Sequence, residues 1–323
     1  MSGMRSPIMA GSLDVLHSIA SQRHHRHLLW QRARPCGRGG SSPARLLRRK
    51  LRALFLYYGS PAMTSDSSAA GWDGWDAYAP FYDWENRRTI GRRDVRFWTD
   101  LARRAEGPVL ELGCGTGRLS VPVARVAPRF VGIDRSAPML RRLRSRLRRA
   151  RLTARTAIVR GDIRALPFRR RWRCRLVMAP YGMLQTLLSD EDLTATLESA
   201  AGVLPRGGTL GIDLVPELPR WQEYHRRVGL RGPLSGGRRV TLIESVRQVR
   251  EHALTVFDQE FVEWHGSRRT VHRFSLAFRT LTVPQVAERL EQAGFRVDAV
   301  LGDYAGEEWS PDASVWVIVA RRR

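Results

Sequence analysis

Six residues of this chain have the types and spacing to hold one kind of ligand: Glu111, Gly113, Gly115, Gly117, Asp134 and Asp162. The glycines stand in Val109-Leu110-Glu111-Leu112-Gly113-Cys114-Gly115-Thr116-Gly117-Arg118-Leu119-Ser120. An apolar run leads into a turn where a ligand can lie against bare backbone. A helix opened by Thr116 to Ser120 would aim its free N–H groups at that ligand. The spacing is G-x-G-x-G, not the dinucleotide G-x-G-x-x-G, and Arg118 takes the place of the last glycine. Glu111, two residues before the first glycine, suits a ligand with a cationic amino group and would repel a pyrophosphate. Asp134 ends Val131-Gly132-Ile133-Asp134, where an acid can accept from both hydroxyls of a ribose. Such charge-assisted bonds contribute about 1.5–3 kcal/mol each.

Glu-Leu-Gly-Cys-Gly-Thr-Gly at 111–117 strongly resembles motif I of the class I S-adenosylmethionine (SAM)-dependent methyltransferases. The resemblance covers about residues 72–323 and is most specific from 109 to 185. It implies SAM as cofactor, with Cys114 inside the motif. Asp162, in Gly161-Asp162-Ile163, resembles the family's adenine-binding acid, and the Ile163 N–H could donate to the ring. Met139 resembles a residue that packs on the adenine face. Tyr78, Phe81, Tyr82 and Asp83 match an N-terminal Tyr-x-x-x-Tyr-Asp segment that lies over the cofactor, which places Tyr82 among its contacts. Ala179 ends the fourth strand, where the methyl group would be presented.

Ala179-Pro180-Tyr181-Gly182 has alanine where amino-methylating enzymes of DNA bases or glutamine amides carry Asn or Asp, which argues against base methylation. Met183-Leu184-Gln185-Thr186-Leu187 resembles the Leu-Gln-His-Leu stretch of small-molecule methyltransferases, with Thr186 replacing the histidine. No general base is evident. Tyr181, Asp213 and Tyr82 are weak catalytic candidates; Glu244, Glu260, Glu263, His265 and His272 are more remote. Methyl transfer from a sulfonium is an in-line displacement that positioning and desolvation largely serve, and a base is needed only if the nucleophile must lose a proton. The expected function is methyl transfer from SAM to a small-molecule acceptor. Methylation of RNA or protein, or SAM binding without catalysis, are the other readings.

The elements that must position these residues alternate. Strands are expected at 109–112, 129–133, 156–160, 175–179 and 209–215. Helices are expected at 92–105, 117–126, 137–150 and 190–204. This βα repetition predicts a doubly wound, Rossmann-like α/β fold with ligands beyond the carboxyl ends of the strands. A last helix at 284–293 and strands at 296–301 and 315–320 match the end of the class I methyltransferase sheet, so the resemblance implies seven strands with the final one antiparallel. Residues 221–281 break the rhythm. Strands at 239–249, 254–264 and 270–281 predict an antiparallel β insertion on the sheet's edge that covers the substrate. The methyltransferase domain is thus expected over 71–323.

The formal net charge is +24 over 323 residues, yet Lys50 is the only lysine, so nucleic-acid binding is not expected from the charge. Arg141 to Arg151 reads as a solvated helix face. Residues 1–70 read as a poorly ordered, basic N-terminal extension. A transit peptide or nucleic-acid arm fits its arginines, but Met63 looks like a natural start and an over-extended start site is the favoured reading. His24, His25 and His27 have no second ligand set, and Cys36, Cys114 and Cys174 form no metal or disulfide pattern, so no metal is expected. No apolar run reaches about 18 residues, so no membrane span is expected, and the cytoplasm is the simplest compartment.

Overall fold

The computed structural model describes residues 75–89, 91–216 and 222–323. The expectation for residues 1–70 lies outside them. Two helices come first, α1 (Trp75–Thr89) and α2 (Arg93–Arg104), then β1 (Val109–Leu112). The alternation continues through α3 (Ser120–Val126), β2 (Phe130–Asp134), α4 (Ala137–Arg149), β3 (Thr156–Arg160), β4 (Leu176–Ala179), α5 (Asp190–Val203) and β5 (Thr209–Leu214). A meander of β6 (Tyr224–Leu234), β7 (Arg238–Val249), β8 (Leu254–His265) and β9 (Arg268–Arg279) follows, then α6 (Val283–Gln292), β10 (Phe295–Leu301) and β11 (Trp316–Arg322).

Seven strands form one sheet in the order β10-β11-β5-β4-β1-β2-β3. Strands β1 to β5 are parallel, and β11 runs antiparallel to both neighbours. Strands β1 and β4 are buried at every position, because helices cover both faces of a parallel sheet. Side chains from α2, α3, α4, β1 and β4 meet in one apolar cluster with Trp98, Val109, Val123, Leu143 and Leu176 almost wholly buried. Local signals set the helix starts. The Ser136 hydroxyl accepts from the Met139 N–H at 3.3 Å, Ser189 from Asp192 at 3.1 Å, and Thr282 and Gln285 form a reciprocal capping box.

Three expectations are corrected. Helix α3 begins at Ser120 and not at Gly117, because Gly117 sits at φ +88° and its N–H closes a turn onto the Cys114 carbonyl at 3.0 Å. The insertion has four strands, not three. Strand β6 reads Tyr-His-Arg-Arg-Val-Gly-Leu-Arg-Gly-Pro-Leu, with glycines and a proline that suit only an edge strand, and its pairing to β7 carries two irregularities. The insertion also forms a separate sheet, β6-β7-β8-β9, and does not extend the edge of the larger one. Helix α1 packs on it and helps to join it to the rest. Phe81, Trp84 and Tyr78 pack against Phe261, Phe274 and Leu242 of the small sheet, and the Trp84 indole N–H donates to the Pro233 carbonyl at 2.9 Å. Full burial of such side chains contributes about 1.5–3 kcal/mol each.

Candidate active site

The glycine turn lies at the carboxyl end of β1. A side chain at Gly117 would place its Cβ 2.3 Å from Leu143 Cδ1, and one at Gly113 would meet Met183 Cγ at 2.7 Å. These glycines are therefore required by close packing. Gly115 differs: the nearest atom to a Cβ there is the Gly113 carbonyl oxygen at 3.9 Å, so its backbone is the bare surface a ligand can reach. Cys114 is buried, its N–H donates to the Ile133 carbonyl at 3.0 Å, and burial pushes its thiol well above the usual range. Only the backbone of Cys114 is available to a ligand.

Glu111 is 3% exposed and accepts from the Ser120 hydroxyl at 2.6 Å. Burial pushes its carboxyl up to about 8, against the Ser120 bond and the Arg118 charge, which pull it down. Asp134 accepts from the Gly115 N–H and the Ser136 N–H, each at 2.8 Å. Burial raises its carboxyl and these two N–H groups lower it. Asp134 thus holds the turn while standing at its open glycine. Asp162 is paired with Arg164, whose Nη2 reaches Oδ2 at 2.8 Å and whose Nε lies 3.1 Å from both oxygens. That bond holds the Asp162 carboxyl below its usual range. Arg164 also pairs with Asp192 at 2.7 Å. An adenine amine would therefore share Asp162 with Arg164. Ile163 begins the turn that follows. Met139 is 2% exposed and packs into the aromatic cluster of α1, and Ala179 is fully buried beside Ile212.

Helix α1 is latched over the turn. The Thr116 hydroxyl donates to Asp83 at 2.6 Å, and Arg146 and Arg142 of α4 reach Asp83 at 2.7 and 3.6 Å. Two arginines expected on a solvated face therefore hold α1 to α4. Tyr78 and Tyr82 meet edge to face at 5.8 Å. Burial pushes the Tyr82 hydroxyl up to about 12, with Arg118 opposing.

Tyr181 follows β4 at φ +63°, a left-handed conformation that a bulky residue rarely adopts, and Gly182 follows at +60°. Its ring is 43% exposed and lies 5.5 Å from the Arg118 guanidinium. Asp213 holds this bend. It accepts from the Gly182 N–H at 2.8 Å and from the Tyr304 hydroxyl at 2.7 Å. Burial pushes its carboxyl up to about 6 against those bonds. Asp213 is 1% exposed with both oxygens engaged, so its geometry is that of a loop clamp, whereas Asp134 is only partly buried. Gln185 adds a second clamp, accepting from the Val215 N–H at 2.8 Å and donating to the Val215 and Arg279 carbonyls at 3.1 and 3.3 Å.

Sequence reasoning missed two groups. Arg118 was read only as a lost glycine. It grips Asp94 of α2 with two bonds of 2.8 and 2.5 Å, and although burial opposes its charge, that carboxylate keeps it protonated. Its place directly after the glycine turn is the signal that marks it. The second is the link from Glu85 to Glu244: Glu244 was read only as a remote base candidate, and its partnership with Glu85 had no local signal. The other insertion residues are engaged elsewhere: Glu260 with Arg226 and Arg273, Glu263 with Arg238 and His272, and the His272 ring on Phe81 at 4.9 Å. His265 closes β8 at an exposed turn. A concavity of about 820 Å³ on the small sheet is lined by Ser245, Asp258, Glu260 and Arg273, where the charges pair with one another. Among the described residues, no His, Cys, Asp and Glu group could hold a metal ion, and no helix is long and apolar enough to cross a membrane.

A family model described as a methyltransferase domain matches residues 109–208, from β1 to the turn before β5. A cypemycin N-terminal methyltransferase from a Streptomyces species is 27% identical over 231 residues, covering 70% of this chain and 88% of that protein. An S-adenosylmethionine-dependent methyltransferase from Clostridium acetobutylicum superposes with a TM-score of 0.62 at 14% identity, covering 76% of this chain and 99% of that one. The sugar N-methyltransferase KedS8 from a Streptoalloteichus species superposes at 0.61 with 16% identity, covering 82% and 98%. Sheet order and glycine turn agree with the domain match, and over residues 109–208 the chain is similar to a methyltransferase domain.

Proposed function

We propose that this protein transfers the methyl group of SAM to a small-molecule acceptor in a site between the glycine turn and the four-stranded sheet. The observation that carries the reading is the meeting, under α1, of the Gly115 backbone, Asp134, Arg118, Tyr82 and Tyr181. The residues fit the cofactor. Gly115 leaves room at the turn, Asp134 stands beside it as a ribose acceptor, and the protonated Glu111 carboxyl has a pKa that a cationic amino group would lower. Asp162 and Ile163 lie at the adenine end, Met139 and Tyr82 wall the site, and Gly113, Gly117, Cys114 and Ala179 shape it through backbone and packing. Arg118 joins this set as a cation for a carboxylate.

Bound SAM supplies a methyl group on a sulfonium, which leaves as a neutral thioether. The chain's share is to close α1 over the turn, exclude water and hold Tyr181 in its strained bend beside the transfer point. The domain spans 71–323 in this reading, with 221–281 as the substrate cover. A small acceptor agrees with a site roofed by a sheet. The Streptomyces relative is named for methylation of an N-terminus, so an amino acceptor is the first class to screen.

Isothermal titration of S-adenosylhomocysteine into the full chain and into residues 63–323 tests the reading. Micromolar binding by both is expected. Absence of binding by two folded proteins would remove the enzyme assignment.

A further inference from the structure

We infer that Glu85 and Glu244, bridged by Gln259, form a recognition site for the amino group of the methyl acceptor; this rests on the methyltransferase reading above. The residues come from α1, β7 and β8. The Gln259 amide nitrogen donates to Glu85 at 3.1 Å and to Glu244 at 2.9 Å. The Tyr78 hydroxyl donates to the other oxygen of Glu85, and the Tyr224 hydroxyl to the other oxygen of Glu244. These bonds orient the amide. Its nitrogen serves both acids, which leaves the Gln259 Oε1 beside them as an acceptor with no partner, in a residue only 4% exposed.

The cluster has acceptors to spare and, among the described residues, no cation. Among the described residues no arginine or histidine bonds either carboxylate. Arg227, opposite Glu244 in the ladder, lies instead over the Tyr224 ring at 4.8 Å. Two carboxylates and an orphan amide oxygen are costly to bury, and apolar residues would fill the space more cheaply. An ammonium is the complement: a positive charge with three donors and no acceptor. Tyr78, Phe81, Phe261 and Phe274 surround the cluster with ring separations of 4.5–5.9 Å, which suits a cation and the carbon body behind it. Glu85 and Tyr224 are only half-buried, so the cluster opens to a ligand.

The position fits transfer. Tyr78, Tyr82 and Glu85 follow one another at helical spacing on α1, and the charge of Glu85 bears on Tyr181. Burial holds the Glu85 carboxyl up to about 7, with the Tyr78 bond opposing and Glu244 adding, so it exchanges a proton near neutrality. The acceptor ammonium passes one proton to the Glu85 carboxylate. The freed nitrogen lone pair forms the N–C bond as the C–S bond breaks and its electrons pass to sulfur. The products are a methylated ammonium, a thioether and a protonated Glu85.

The test is calorimetry on the full chain, saturated with S-adenosylhomocysteine, using cyclohexylamine and cyclohexanol as probes. The amine is expected to bind at least tenfold more tightly than the alcohol. Glu85→Gln and Glu244→Gln should each erase most of that preference and leave alcohol and S-adenosylhomocysteine binding unchanged. In the wild type, amine binding at pH 7 should release a fraction of a proton, read by comparing buffers of different ionisation enthalpy; this arm needs no variant to fold. Equal binding of the two probes, an unchanged preference in the double variant, or no proton release would overturn the inference. Failure of S-adenosylhomocysteine to bind would instead overturn the methyltransferase reading, with amine preference then reporting a site of other purpose.

Discussion

Replacing Glu111 with glutamine should stabilise the unliganded protein increasingly as the pH rises. Glu111 lies 3% exposed beneath the glycine turn, and burial lifts its carboxyl from the ordinary 4.5 to about 8. Below pH 4.5 both folded and unfolded chains hold the proton. Between 4.5 and 8 the unfolded chain releases it and the folded chain keeps it, so each pH unit lowers stability by about 1.4 kcal/mol. Above 8 the folded protein carries the full penalty, on the order of 5 kcal/mol. Glutamine is nearly isosteric, cannot ionise, and can still accept from Ser120 through its Oε1. Urea unfolding of wild type and Glu111→Gln at pH 5 and pH 8.5 isolates the effect: near-equal stability at pH 5, and the variant several kcal/mol ahead at pH 8.5. A domain of this size should show that difference as on the order of 10 °C in Tm. Parallel loss of stability by the two proteins would refute the buried, protonated carboxyl. The same residue should weaken cofactor binding when changed, because a cationic amino group loses its counter-charge.

Asp134→Ala should remain folded and lose about two charge-assisted bonds to ribose, a fall of about 100-fold or more in S-adenosylhomocysteine affinity by calorimetry; unchanged affinity would displace Asp134 from the ribose. Asp83→Asn removes the charge that Thr116, Arg142 and Arg146 share. It should raise amide hydrogen exchange across 75–89 and leave β1 and β4 protected, and unchanged exchange would mean that the latch does not hold α1. Tyr181→Gly relieves a left-handed tyrosine and should stabilise the fold by about 1 kcal/mol in chemical denaturation while lowering the methyl-transfer rate. A destabilised, fully active variant would contradict both halves of that statement.

The substitutions at 111 and 134 could be chosen from the sequence; Asp83 was singled out there by resemblance, but its partners, and the meaning of Glu85, come from the fold. Glu111, the glycine turn and Asp134 lie within 24 residues of one another, and their roles follow from strand period, turn chemistry and the reach of a helix N-terminus. Strands β1 to β5 were legible for the same reason. Their apolar runs are continuous because both faces are buried, and glycines or prolines punctuate their ends. Strand β6 was not legible. Its register and exposure come from β7 and α1, and its own residues carry no alternation that would announce an edge strand.

What the amino-acid order determined by itself was the doubly wound sheet, the place of the glycine turn and the acids at the ends of β2 and β3, since each is written in neighbours along the chain. What only the tertiary structure decided was which partner each charge would find. Asp162 meets Arg164, Asp213 clamps the bend at Gly182, Arg118 grips Asp94, and Glu85 shares the amide of Gln259, 174 positions away. The last of these pairings depends on the packing of α1 against a second sheet. Burial then raises the carboxyls of Asp213 and Glu85, because desolvation acts through distance in space and not through separation in sequence.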